Sequence, residues 1–164
     1  MMDMGQQRTE ARKKALHLLE HMDRTEKGLY DRLLRAGFSE ELAADAVAYV
    51  KDYGYVDDER YARNYILYRI HDKSRQKIFQ ELQQKGVSKS IIQNAWDEAA
   101  DQEKPDERAV LRQMIEKKYA QGSRLDEKAM RRLFGYLARR GFRTGDIFSV
   151  LEELDIVQQN NSEE

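Results

Sequence analysis

One short phrase occurs three times in this chain of 164 residues, at 33–38 (LLRAGF), 82–87 (LQQKGV) and 137–142 (LARRGF). Each copy has Leu four residues before Gly and a bulky apolar residue directly after it. The glycines are spaced by 49 residues (37 to 86) and then by 55 residues (86 to 141). A repeat of this period predicts three similar modules in series, each contacting mainly its neighbours.

Helix-capping residues repeat together with the phrase. Thr25 and Ser74 each stand twelve residues before a repeated Gly, and Ser39 and Ser88 stand two residues after one. Ser and Thr favour helix starts, whereas Gly favours the residue after a helix end. We therefore predict an all-α fold of three tandem three-helix repeats in an extended, curved array. The predicted modules are 8–54, 55–103 and 104–157, with 1–7 and 158–164 disordered.

Apolar spacing and turn residues predict the remaining helices. The first helix is expected to begin near Arg8, and Asp57 and Asp126 are expected to cap later helices. Pro105 suits the start of a helix, and the final helix is expected to start near Thr144. The face that carries Tyr61, Tyr65 and Tyr68 is expected to be buried, because helical spacing places these rings on one side. No segment shows the alternation of a strand.

The overall composition excludes several classes of protein. There is no Cys, so disulfides and thiol chemistry are impossible, and no apolar stretch approaches the length of a membrane span. The first residues, MMDMGQQ, lack the apolar core of a signal peptide. These features favour a cytoplasmic protein.

Charge is distributed unevenly along the chain, although the net charge is only −1. Residues 104–143 contain 12 Lys or Arg against 5 Asp or Glu, and residues 69–89 contain 6 against 2. Residues 40–59 contain 7 acidic residues and one Lys. Such runs are either solvated helix faces or a basic zone for polyanions or an acidic partner.

The most specific catalytic pattern is His17–His21 (HLLEH), which fits one class of zinc peptidase. Two histidines make an incomplete site, because catalytic zinc needs a third protein ligand and a dry pocket. The chain has no nucleophile elbow and no phosphate-binding Gly-rich loop. We therefore predict no enzymatic activity, no metal and no cofactor.

Two patterns raise the possibility of nucleic-acid binding. The Gly-containing turn between the second and third helices resembles a helix-turn-helix, but Glu40, Glu41 and Asp45 would repel phosphates there. Six of the nine tyrosines fall within 49–68, and aromatic rings beside basic residues can stack on single strands. Helical spacing explains the later tyrosines as core residues, which is the interpretation we favour.

The run 54–62 (GYVDDERYA), followed by Tyr65 and Ile66, resembles a signature of the RecX family of recombinase regulators. The run 78–87 (IFQELQQKGV) is similar to the family phrase I-x-x-E-L-x-x-K-G-I, and Arg24, Thr25, Leu29 and Leu33 match its first-module pattern. The resemblance covers about 15–98 well, and the third module by topology and repeat. Gly28 and the pair Lys73-Ser74 depart from the family pattern, at helix starts where they affect capping.

The resemblance implies both fold and function. RecX proteins have three tandem three-helix repeats and are not enzymes. They bind the RecA recombinase and its nucleoprotein filament, lodge in the filament groove, and lower ATPase, strand-exchange and coprotease activities. The expected partners are therefore the RecA filament and single- or double-stranded DNA, without a membrane, for a cytoplasmic monomer in recombination, DNA repair and the SOS response.

Local charge excess alone selects the candidate contact residues. They are Arg63, Arg69, Lys73, Arg75, Lys77, Lys85, Arg131, Arg132, Arg139 and Arg140. The acidic third helix, with Glu40, Glu41 and Asp45, is a second candidate for protein contact. A competing hypothesis is a helical-repeat DNA-binding or scaffold protein without a link to RecA.

Overall fold

The computed structural model describes residues 2–159, and this range contains nine α-helices and two very short strands. Their bounds are α1 Met4–His21, α2 Glu26–Arg35, α3 Glu40–Asp52, α4 Asp58–Arg69, α5 Arg75–Gln84, α6 Lys89–Glu103, α7 Glu107–Glu116, β1 Arg124–Leu125, α8 Glu127–Arg139, α9 Thr144–Glu153 and β2 Val157–Gln158. The repeated phrase ends the second helix of each group of three. The predicted all-α fold of three three-helix repeats is therefore confirmed. Within the described range no helix has the length and apolarity to cross a membrane.

One hydrogen-bond pattern explains the repeated phrase. The N–H after each Gly donates to the carbonyl of the phrase's Leu: Phe38 to Leu33 at 3.2 Å, Val87 to Leu82 at 3.1 Å, and Phe142 to Leu137 at 3.1 Å. The glycines between them have φ of +100°, +93° and +92°, a conformation that other residues rarely adopt. All three leucines are fully buried. The phrase thus combines a helix stop with an anchor in the core.

Most helices begin at the predicted caps. Side-chain oxygens that accept a first-turn N–H belong to Thr25, Ser39, Asp57, Ser74, Ser88 and Asp126. Two starts differ from the prediction. Helix α1 begins at Met4 because Asp3 and Gln6 form a capping box there. Pro105 precedes α7 instead of starting it, because Asp106 provides the cap.

Both predicted disordered ends contain regular structure within the described range. Residues 4–7 belong to α1, and Gln158 belongs to β2, which pairs in parallel with β1. The pair places Arg124, in the long loop before α8, opposite Val157, which follows α9. Strands of two residues are too short to show alternation, so the sequence could not indicate them. Residue 1 and residues 160–164 of the predicted tails lie outside the described residues.

The chain divides into two compact units. Unit one contains the residues up to Leu67 together with Gln80–Ala99, and unit two contains Tyr68–Phe79 and the residues from Ala100 onward. The main core of unit one is built from α1, α2 and α3, with Ala11, Ala15, Leu29, Leu33, Ala46 and Val50 at its centre. The main core of unit two is built from α7, α8 and α9, with Leu111, Ile115, Leu137, Ile147 and Val150 at its centre.

In unit one, the start of α2 packs against the turn after α5 and the start of α4. The Thr25 hydroxyl donates to the Lys85 carbonyl at 2.6 Å. The Glu26 N–H donates to the Asp58 carboxylate at 2.9 Å. A side chain at Gly86 would overlap Lys27, because an added Cβ would lie 2.5 Å from Lys27 Cδ. Glycine at this turn therefore serves packing as well as backbone conformation.

Unit two repeats this arrangement at the start of α5. The Ser74 N–H donates to the Arg140 carbonyl at 3.4 Å, and the Arg75 N–H donates to the Glu107 carboxylate. A Cβ at Gly141 would lie 2.6 Å from Lys77 Cβ. The repeat therefore extends from the helix ends to the contacts between consecutive modules.

Candidate functional site

The most concentrated positive charge in unit two lies along α8. Leu133 and Leu137 anchor this helix in the core, and the arginines on its other side remain exposed. They border a cleft of about 450 Å³ lined by Lys118, Arg131, Arg132, Gly135, Tyr136 and Arg139. We call this set the α8 cleft. Among the described residues that line it, four are cationic and none is acidic.

The aromatic ring of Tyr136 organises two of the nearby cations. Lys118 Nζ lies 4.3 Å from the ring centroid, and Arg140 Cζ lies 4.8 Å from it. Cation–π contacts hold a positive charge in place without neutralising it. The ring therefore positions positive charge and leaves it available to an anion.

Gly135 allows a third cation to approach the helix closely. A Cβ at this position would lie 3.2 Å from Arg139 Nη1, which is tighter than ordinary contact. The Arg139 guanidinium thus lies over the backbone of its own helix, inside the cleft. Arg131, by contrast, pairs with Glu127 at 2.8 Å, with both side chains more than two-thirds exposed. An exposed pair of this kind is weak and can open for a competing anion.

The packing of α5 brings two predicted basic segments together. Because Ser74 and Lys77 lie against the turn that contains Arg140 and Gly141, Lys77 adjoins the end of α8. Of the other predicted residues in unit two, Arg75 lies over the Phe79 ring at 4.2 Å and Arg69 over the Tyr68 ring at 5.5 Å. Lys73 is half-buried in the turn before α5.

The remaining two predicted residues, Arg63 and Lys85, belong to unit one. Arg63 lies 3.9 Å from Glu98 in an exposed ion pair, comparable to that of Arg131 with Glu127. Lys85 lies 5.8 Å from the Tyr65 ring centroid, and its carbonyl accepts from Thr25. Arg63 also lines a pocket whose described lining residues include Glu59, Asp97 and Glu98, so positive charge is less concentrated here than in the α8 cleft.

Two other basic residues of unit two, Arg108 and Arg112, are neutralised and do not belong to the candidate surface. Arg108 and Arg112 both bind the carboxylate of Glu153, across α7 and α9. Hydrogen bonds from Arg108 and then from Arg112 lower the pKa of Glu153. These arginines serve to join two helices, which the charge counts alone could not distinguish from a binding role.

Besides Gly135, two residues of the cleft were not predicted from the sequence, Tyr136 and Lys118. Tyr136 follows Arg132 by four residues and precedes Arg140 by four, so helical spacing could have placed it on the basic face. Lys118 lies after α7, and only the tertiary packing brings it to Tyr136. A signal for Lys118 was therefore absent from the local sequence.

The tyrosines and acidic residues of unit one differ partly from the predictions. Tyr65 is buried, as predicted, but the prediction that Tyr68 is buried is wrong, because its side chain is 81% exposed. Tyr53 and Tyr55 are also exposed and stack with a centroid separation of 5.8 Å. In α3, Glu40 and Glu41 are exposed, whereas Asp45 accepts a 2.9 Å bond from Arg12.

A three-ligand zinc site of the peptidase type does not occur in the described residues. Residues 2–159 contain no group of three or more His, Asp or Glu side chains that could hold a metal ion. His17 and His21 nevertheless lie close together, with their Nε2 atoms 3.3 Å apart. The pair therefore lacks the third protein ligand of a catalytic zinc centre.

Comparison with known proteins places this arrangement in a family. Models described as the first, second and third three-helix domains of RecX match residues 11–49, 57–95 and 106–151. The "Regulatory protein RecX" of Caldanaerobacter subterraneus subsp. tengcongensis is 36% identical over 143 residues, covering 87% of this chain and 69% of that protein. The protein of the same name from Clostridium tetani is 32% identical, covering 85% of this chain and 65% of that protein.

The fold agrees with these sequence matches. A crystal structure of RecX from Lactobacillus salivarius superposes with a TM-score of 0.67, at 20% identity, over 93% of this chain and 99% of that one. The chain spans about two-thirds of the length of the two relatives described above. Because three domain models match in order and a relative is 36% identical over most of the chain, the chain belongs to the RecX family.

Proposed function

We propose that this protein is a non-enzymatic regulator of homologous recombination and DNA repair that binds RecA and its nucleoprotein filament in the cytoplasm. Binding lowers the ATPase, strand-exchange and coprotease activities of the filament. Membership of a family whose relatives are named regulatory proteins supports this proposal. A groove-binding role also suits a helical-repeat protein, because repeats present long continuous surfaces.

The α8 cleft is the proposed contact surface, with Lys77 and Arg140 beside it. The observation that carries this assignment is the cluster of four lining cations, one of which, Arg131, holds an exposed ion pair with Glu127 that an anionic partner can displace. Like charges held this close repel one another, so an anionic partner stabilises them. A nucleoprotein filament offers such anions, both as DNA phosphates and as acidic side chains.

Inhibition requires that the protein discriminate between filament states. A ligand shifts an equilibrium only by the difference between its affinities for the two states. The proposed regulator must therefore bind better to the filament conformation that does not turn over ATP productively. The cleft supplies attraction, and the positions of its cations determine which conformation is preferred.

The decisive experiment measures the single-strand-dependent ATPase activity of RecA with increasing amounts of this protein. We expect inhibition by the wild type at equimolar or lower ratios. Changing Arg131, Arg132 and Arg139 together to Glu should weaken inhibition by about tenfold or more, since each reversal replaces attraction by repulsion. Because these side chains are exposed, the fold should survive, which circular dichroism can verify.

A charge-matched variant provides the control. Changing Lys13, Arg35 and Lys89 to Glu alters the net charge equally but leaves the α8 cleft intact. Inhibition by this variant should stay close to wild type. Equal loss of inhibition in both variants would show that the effect depends on net charge and not on the α8 cleft. Wild-type DNA binding without any change in ATPase would instead support the competing DNA-binding or scaffold hypothesis.

A further inference from the structure

The two histidines near the end of α1 form a pair that the proposed regulatory function does not use. His17 and His21 are one helical turn apart, and both side chains are exposed. Their rings are perpendicular, with centroids 4.6 Å apart, and their Nε2 atoms face each other at 3.3 Å. Because two acceptor nitrogens repel one another, the pair holds either a hydrogen bond from one Nε2–H to the other nitrogen or a cation between the two.

The separation of the two nitrogens matches that of ligands on one tetrahedral metal ion. Zinc binds imidazole nitrogen at about 2.0–2.1 Å, and a tetrahedral angle between two such bonds separates the nitrogens by about 3.3–3.4 Å. A square-planar ion with adjacent ligands at similar distances would bring them to about 2.8–2.9 Å. The 3.3 Å separation therefore fits a tetrahedral ion with little movement of either ring.

The surroundings of the pair also favour a cation. Helix α1 ends at His21, and the carbonyls at a helix C-terminus carry partial negative charge. The Glu20 carboxylate lies 3.9 Å from His17 Nδ1, on the ring nitrogen opposite the proposed metal. At this distance the carboxylate accepts no hydrogen bond from the ring, but its negative charge favours a cation beside the pair.

We infer that His17 and His21 together bind one zinc ion through their Nε2 atoms, with water completing the tetrahedron. The ion spans the last turn of α1 and stabilises that helix end. The site is not a peptidase centre, since no third protein ligand is available among the described residues. Two open positions remain accessible, because both rings lie at the surface.

Zinc titration of the untagged full chain by isothermal calorimetry tests this site. The wild type should bind one zinc ion per chain, and His17→Ala and His21→Ala should each weaken binding by more than about tenfold, since even outer contacts of a zinc ligand are worth that much. The matched control is His71→Ala, which changes the chain's third histidine, 3.2 Å from Glu103 and outside the pair. This variant should bind zinc like the wild type.

Two further measurements distinguish a zinc site from a hydrogen-bonded histidine pair. Cobalt should give the intense visible absorption of tetrahedral coordination in the wild type and in His71→Ala only. Zinc should raise the melting temperature of the same two proteins and leave the two pair variants unchanged. Absence of saturable zinc binding, or equal binding in the His17 and His21 variants, would overturn the assignment. The outcome is independent of RecA.

Discussion

The carboxylate of Asp58 accepts a hydrogen bond from the backbone N–H of Glu26 at 2.9 Å, although the two residues belong to different modules. Asp58 is at the start of α4 and Glu26 is at the start of α2. Unit two has the same bond between Glu107 and the N–H of Arg75, and each of these residues follows its unit-one counterpart by 49 positions. One carboxylate thus caps a helix of the preceding module, so the repeat encodes its own junctions.

The first prediction concerns Asp58. Burial, and then the charge of Glu26, raise the pKa of Asp58 above its ordinary value of 3.8. The fold therefore penalises the ionised form of Asp58, and Asp58→Asn keeps the acceptor oxygen while it removes the charge. We expect Asp58→Asn to be at least as stable as the wild type at pH 7. Asp58→Ala should lower the free energy of unfolding by about 1–2 kcal/mol, because the Glu26 N–H loses its partner.

The pH dependence provides the check on this prediction. A raised folded-state pKa means that the folded chain binds the proton more tightly than the unfolded chain. As the pH falls through the raised pKa of Asp58, the wild type should gain stability relative to Asp58→Asn, until the gain levels off below 3.8. Urea unfolding at several pH values measures this difference. An Asn variant as unstable as the Ala variant at pH 7 would contradict the account.

The junctions between modules could be predicted from the sequence only in part. Thr25 and Ser74 were predicted as caps of their own helices, and both caps are confirmed. The second partner of Thr25, the Lys85 carbonyl, is 60 residues away, and no local pattern indicates it. Capping depends on neighbours in the chain, whereas docking depends on how the modules fold together. Both junctions share the spacing of 49 residues, but this spacing does not indicate which atoms form the contact.

The second prediction compares the three repeated glycines. Gly37, Gly86 and Gly141 share positive φ, so Ala should cost each about 1–2 kcal/mol of backbone strain. An added Cβ meets nothing within 4 Å at Gly37, but at the other two it overlaps Lys27 or Ser74. We therefore expect Gly86→Ala and Gly141→Ala to lose about 1–3 kcal/mol more than Gly37→Ala. Urea denaturation of the three variants tests this order. Equal losses of stability would contradict the proposal that Gly86 and Gly141 are needed for contact between modules.

The candidate surface was predictable only in part. Charge excess selected Arg131, Arg132 and Arg139 as contact residues; all three line one cleft, and their role in binding stays a prediction. It gave no indication that Glu98, from another helix, lies beside Arg63, whose role in binding also stays a prediction. Tyr68 was misplaced because the buried face of α4 follows Ala62 and Ile66, and Tyr68 is turned roughly 120° from Ala62 and about 160° from Ile66.

The third prediction tests the core position of the repeated phrase. Leu82 is fully buried, and its carbonyl also accepts the N–H that ends α5. Leu82→Ala should lower the free energy of unfolding by about 2–5 kcal/mol through lost burial and a residual cavity. Gln83→Ala, an exposed neighbour on the same helix, should stay within about 0.5 kcal/mol of the wild type. A loss below that level at Leu82 would break the structural equivalence of the three phrases.

The fourth prediction separates DNA phosphates from acidic side chains as the anions that occupy the α8 cleft. Each phosphate contact contributes a slope of about −0.7 for single strands to −0.9 for duplexes in log affinity against log salt. Changing Arg131, Arg132 and Arg139 to Gln should flatten that slope by roughly 2 to 3 units if all three bind phosphates. Fluorescence anisotropy with labelled filaments, at several salt concentrations, measures it, and changing Lys13, Arg35 and Lys89 to Gln is the control. If affinity falls in the cleft variant while the slope stays the same, these arginines contact the recombinase itself, because short-range protein contacts release few counterions.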